Sequence, residues 1–333
     1  MKYNLCQIVQ FLFWFQIITA ALGSVFFHII QKIRCKYKQS LPTRFHCILL
    51  KSALTFFFAP NTVLLYIFAS MHHFHHSPVQ NNMQTGISHS LSFFQFFILT
   101  ISTVGILKRT FRYVKLSIQL NHYSRSVSYQ TTDPAIINLS VSIRKRYGIK
   151  RTLPIYIHPY IPSPSITGIL CPKILLPENV FQQADRNTLQ IILSHEILHY
   201  KKKDIFWYYF CAVIQCIYWY LPSVKTLCTE IKNWLEYECD ERCCKENQKQ
   251  YTKQDYFNTI LDLLYNEKYT NHCTSGINFY KNKYQVEDRI LHMHTKKETT
   301  EKKPLFCLFI LLTLLSAYLF FLILALVISL HLL

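Results

Sequence analysis

Four long apolar runs mark the chain, and most of its polar residues lie between the third and the fourth. The runs cover about residues 5–30, 47–71, 91–107 and 304–333. A bilayer-crossing helix needs about 20 predominantly apolar residues, so each run predicts a transmembrane helix. The first is too long for a signal peptide and lacks a small-x-small exit, so it is expected to be retained. Residues 108–303 form the inserted domain, where shorter patterns predict both helices and strands. Asp133-Pro134 reads as a cap followed by the first helical position, and apolar residues then recur to Ile143, with a stop at Gly148. Leu153 to His158 and Ile169 to Leu176 read as strands around a Pro-rich loop at 159–168. Pro172 inside the second strand predicts an edge position. Helices are expected over 189–201, 234–245 and 255–266.

Charge gives the expected orientation. Lys32, Arg34, Lys36, Lys38 and Arg44 follow the first run, while residues 71–90 contain no Lys or Arg. Lys108, Arg109, Arg112 and Lys115 follow the third, and Lys296, Lys297, Lys302 and Lys303 precede the fourth. The positive-inside rule then predicts a multi-pass cell-membrane protein with both termini outside and the 108–303 domain in the cytoplasm. The net charge of +18 sits largely beside these runs, which favours a lipid bilayer over direct nucleic-acid binding. Cys171, Cys211, Cys216, Cys228, Cys239, Cys243, Cys244 and Cys273 fall in the cytoplasmic segment and are expected to be reduced. A metal site from Cys239, Cys243 and Cys244 is the weaker reading, because no CxxC pair repeats elsewhere.

The polar segment contains His195-Glu196-Ile197-Leu198-His199, an HExxH pattern. On a helix, positions i and i+4 share a face, so His195 and His199 can aim two imidazoles at one zinc ion. Glu196 beside them can take a proton from the attacking water. A catalytic zinc site typically has three protein ligands. Glu236, in Leu235-Glu236-Tyr237-Glu238-Cys239-Asp240, is the candidate third, weighed against a solvated acidic face. Asp240 and Asp204 are candidates to hold the outer nitrogens of the ligand histidines.

These residues resemble a family. His195 to Asp204 is similar to the HExxH-x4-D run of the BlaR/MecR antirepressor membrane metallopeptidases, and Glu236 to Asp240 resembles their ExxCD element. Ser163 to Pro177 looks like their SPxxTGxxxPxIxLP stretch, and Glu287-Asp288-Arg289-Ile290 like a late E/K-R-I element. The resemblance implies a gluzincin with a zincin-like α+β peptidase domain, one zinc ion on His195, His199 and Glu236, and Glu196 as general base. It also implies that an edge strand including Thr167, Gly168 and Ile169 pairs with extended substrate. The implied substrate is a cytoplasmic transcriptional repressor or the chain's own segment near 270–303, and a homodimer is compatible with that role. Receptors of this family continue into an extracellular penicillin-binding sensor, which would need a Ser-x-x-Lys nucleophile. The sequence stops at Leu333, so β-lactam sensing is not carried over from the resemblance.

The expected whole is a mainly α membrane protein: transmembrane helices in 1–107, the peptidase domain at 108–303, and a last helix at 304–333. Ile205 to Leu221 resembles a fifth span, but seventeen residues reach only about 26 Å. A full crossing would also part Glu236 from His195, so a membrane-apposed helix over 205–221 is expected. Two rivals stand beside the peptidase. A metal sensor or transporter is suggested by His72, His73, His75 and His76, and a signalling scaffold would use the fold only for docking.

Overall fold

The computed structural model describes residues 5–37, 41–71, 85–265 and 287–293. The described residues divide into two units. One takes those up to Tyr113 together with Cys211–Ile231; the other takes Val114–Phe210 and the described residues from Lys232 onward.

In the first unit, α1 (Leu5–Lys36) packs along α2 (Thr43–Met71). Phe26 stacks on Phe56 with ring centroids 4.4 Å apart. Arg34 is buried and pairs with Glu230. Tyr218 donates to the carbonyl of Phe57 at 3.1 Å. The third helix, α3 (Thr85–Val127), begins in this unit.

The four-span reading is corrected here. Among the described residues, no helix is long and apolar enough to cross a membrane. The described helices also run past the apolar stretches into charged sequence. α1 continues through Lys32 and Arg34 to Lys36, and α2 takes in Arg44 and Lys51. α3 runs on through Lys108, Arg109, Arg112 and Lys115. The multi-pass cell-membrane placement, with a cytoplasmic domain and both termini outside, loses its support with the spans. The expected helix at 304–333 and the histidines at 72–76 lie outside the described residues.

The second unit is α+β. Its sheet has the order β1-β2-β4-β3, from β1 (Tyr129–Gln130), β2 (Ile155–His158), β3 (Ser165–Thr167) and β4 (Lys173–Pro177). β2 and β4 are parallel, and the outer pairs are antiparallel. The expected edge strand containing Pro172 is revised. β4 is internal and starts one residue after Pro172, as a ladder requires, since proline has no N–H to donate. The edge is β3, in the stretch expected to be loop. Gly168, at φ +88°, turns the chain from β3 towards β4.

Helix α4 (Pro134–Arg146) starts at Asp133, whose Oδ1 accepts from the N–H of Ala135 at 2.9 Å. A short α5 (Glu178–Gln183) leads into α6 (Arg186–Lys202), which Asp185 caps by accepting from the N–H of Thr188 at 3.0 Å. α7 (Asp204–Ile217), α8 (Pro222–Glu246) and α9 (Lys253–Tyr265) follow, and residues 287–293 are helical. Ile143, Ile157, Ile174, Leu176, Leu193 and Ile197 are fully buried between α4, the sheet and α6. This core holds the HExxH helix rigidly against the sheet, with β3 running beside it.

Candidate active site

All the charged and polar groups of the site come from the second unit. On α6 the helical repeat puts His195 and His199 on one face, and their Nε2 atoms are 3.0 Å apart. Glu236 on α8 closes the triangle, with Oε2 3.5 Å from His195 Nε2 and Oε1 3.5 Å from His199 Nε2. Glu196 is buried on the same helix.

The outer ring nitrogens decide the tautomers. Nδ1 of His199 lies 2.8 Å from Oδ2 of Asp204, which is fully buried. Lys203 makes this possible by adopting a left-handed conformation, φ 59°, which ends α6 and turns Asp204 back towards the helix. A carboxylate can only accept, so His199 carries its proton on Nδ1 and leaves Nε2 free. His195 is held differently. Its Nδ1 lies 2.8 Å from the hydroxyl of Tyr256, and that hydroxyl donates to Oδ1 of Asp240 at 2.7 Å. With its O–H directed at Asp240, the Tyr256 oxygen accepts from Nδ1 of His195. Asp240 therefore acts on His195 through a phenol from α9, where direct contact was expected.

Two bare Nε2 lone pairs facing each other at 3.0 Å beside a carboxylate repel unless a positive charge lies among them. Without such a charge the imidazoles themselves take it up as protons. Burial opposes the imidazolium of His195, yet Cys239 and Glu236 outweigh it and hold its pKa up at about 10. His199 is raised in the same sense against its own burial, with Cys239 and Glu236 the main causes. Burial would push the Glu236 carboxyl up, but His199 and Arg289 hold it well below the usual range. Burial raises Glu196, which suits a group that must take a proton. The cluster favours positive charge among these donors.

Other side chains complete the pocket. Tyr208 donates to Oε1 of Glu236 at 2.8 Å. Arg289 donates from Nε and Nη2 to the two oxygens of Asp240, at 2.8 and 2.6 Å, and its Nη1 lies 3.4 Å from Oε2 of Glu236. Cys239, one turn beyond Glu236, brings its thiol to the two histidines. Cys243 instead lies 3.1 Å from the hydroxyl of Tyr251, so Cys239, Cys243 and Cys244 do not form the separate metal site weighed from the sequence. Thr167 is on β3, while Gly168 and Ile169 follow it in the turn. Tyr256 carries no local spacing signal, because α8 and α9 are brought together only by the fold. Tyr208 could have been found, since it stands four residues after Asp204 on one helical face.

The BlaR1 peptidase M56 family matches residues 48–293, most of the chain. The chain belongs to that peptidase family. The regulatory protein BlaR1 of Bacillus licheniformis is 28% identical over 133 residues, which is 40% of this chain and 22% of that protein. The methicillin resistance mecR1 proteins of Staphylococcus aureus and Staphylococcus epidermidis are 25% identical over 152 residues, 45% of this chain and 25% of theirs. The matches thus span about a quarter of these relatives' own lengths.

Proposed function

We propose that this M56 peptidase is a zinc metalloendopeptidase, with one zinc ion held by His195, His199 and Glu236. The observation that carries the reading is the triangle of donors at 3.0, 3.5 and 3.5 Å. Ligands about 2.0–2.1 Å from a tetrahedral zinc stand about 3.3 Å apart, so the donor set fits the ion in number, chemistry and spacing. Zinc in such a site supplies a Lewis acid for the scissile carbonyl and lowers the pKa of water.

The protein's own groups do the rest. Asp204, and Asp240 through Tyr256, fix both histidine tautomers. Arg289 and Tyr208 hold the Glu236 carboxylate in place. Glu196 takes the proton of the attacking water and passes it to the leaving amine. β3 is a sheet edge beside α6, which supports binding of an extended peptide by main-chain pairing at Ser165–Thr167, with Gly168 and Ile169 at the turn. The resemblance to antirepressors makes the substrate a protein in a signalling response, either a transcriptional repressor or this chain itself.

The decisive variant is Glu196→Gln, which keeps shape and removes the base. Zinc content should stay at one per chain while cleavage of a repressor-derived protein or of the chain falls by about 10²–10⁴-fold. Undiminished cleavage by that variant overturns the assignment.

A further inference from the structure

The sequence reading assigns three protein ligands, but the structure brings up a fourth donor. Cys239 lies three residues after Glu236 on α8, so both project from one helical face. It is fully buried. Its sulfur and a ring nitrogen each of His195 and His199 all lie within 4.8 Å of one another. The two histidines are thus shared between this trio and the trio with Glu236. In a tetrahedral site, a sulfur about 2.3 Å and a nitrogen about 2.0 Å from zinc stand about 3.5 Å apart, inside that 4.8 Å limit. Thiolate is also a strong donor to a borderline-soft ion. In the structure the thiol donates to the main-chain oxygen of His195 at 3.6 Å.

We propose that Cys239 is a displaceable metal ligand, so that the ion is held in a latent form by His195, His199, Glu236 and Cys239. Four protein donors make a closed site, whereas catalysis needs an open position. Opening returns the thiol to the His195 carbonyl. The S–H proton is released to solvent when sulfur binds and regained when it leaves, with no change of oxidation state. This inference rests on the zinc reading above.

The test is zinc-edge X-ray absorption on the full-length chain loaded with one equivalent of Zn2+, for wild type and Cys239→Ser. The expected wild-type spectrum has one sulfur at about 2.3 Å together with imidazole nitrogen at about 2.0 Å. In the serine variant the sulfur signal disappears, the zinc is retained and basal proteolysis rises several-fold. A wild-type shell of nitrogen and oxygen only overturns the proposal and leaves the peptidase reading standing. Failure to hold zinc, or zinc without imidazole, overturns both. An unchanged basal rate with the sulfur signal lost overturns the latency. If the serine variant does not fold, the wild-type shell decides: sulfur and imidazole on one ion support the ligand.

Discussion

Nδ1 of His195 lies 3.5 Å from Oδ1 of Asp240, and the hydroxyl of Tyr256 is within hydrogen-bond reach of both, at 2.8 and 2.7 Å. The phenol therefore transmits the orienting charge of Asp240 to the imidazole. Tyr256→Phe keeps the ring in the core and removes only the link. Groups that orient a ligand histidine typically contribute about 10–100-fold in metal affinity. Zinc affinity, measured by competition with a chelator, should weaken by that factor while the fold persists. Wild-type affinity in this variant would show that the phenol has no part in holding His195.

Much of this site could be read from the sequence because its signals are local. His195 and His199 follow from helical periodicity, and Asp204 from its place just beyond that helix. Glu236 and Asp240 share a face of one helix. The rest depends on contacts that spacing does not encode. Tyr256 and Arg289 reach Asp240 across 16 and 49 positions, respectively. The short β3 escaped because three residues among prolines carry no alternation. The apolar runs do not mark the helix ends, because α1 and α3 continue into charged residues.

Arg289 makes a bidentate contact with Asp240, whose side chain is 1% exposed. Arg289→Ala leaves that carboxylate with the Tyr256 hydroxyl and without a counter-charge. Removing one partner of a buried pair costs about 3–5 kcal/mol. The denaturant midpoint should fall accordingly. Arg289→Lys should recover only part of the loss, because an ammonium cannot reproduce the fork. A stability change within about 0.5 kcal/mol for the alanine variant would show that Asp240 does not depend on the guanidinium.

Gly168 sits at φ +88°, and a Cβ there would collide with the main-chain oxygen of Cys171. Gly168→Ala must therefore distort the turn between β3 and β4, at a cost of about 1–3 kcal/mol. If β3 is the edge that pairs with substrate, KM should rise more than kcat falls, with zinc affinity unchanged. Steady-state kinetics beside a zinc titration separate these effects. A loss confined to kcat would remove substrate pairing from this edge.

Asp185 caps the helix that carries the HExxH motif, and its hydrogen bonds to Thr188, side chain first and then main chain, hold its carboxyl below the usual range. Asp185→Ala should cost about 1 kcal/mol at neutral pH, the ordinary worth of such a cap. The sign of the pH dependence follows from linkage. A carboxyl with a depressed pKa in the folded state contributes stability above its unfolded value, about 3.9, and loses it as pH falls through the folded value. Wild type and variant should therefore differ fully at neutral pH and converge in acid below that lower pKa. Unfolding curves collected across this range test it. A constant gap down to the most acidic conditions that preserve the fold would mean that Asp185 acts through something other than its charge on the first turn of α6.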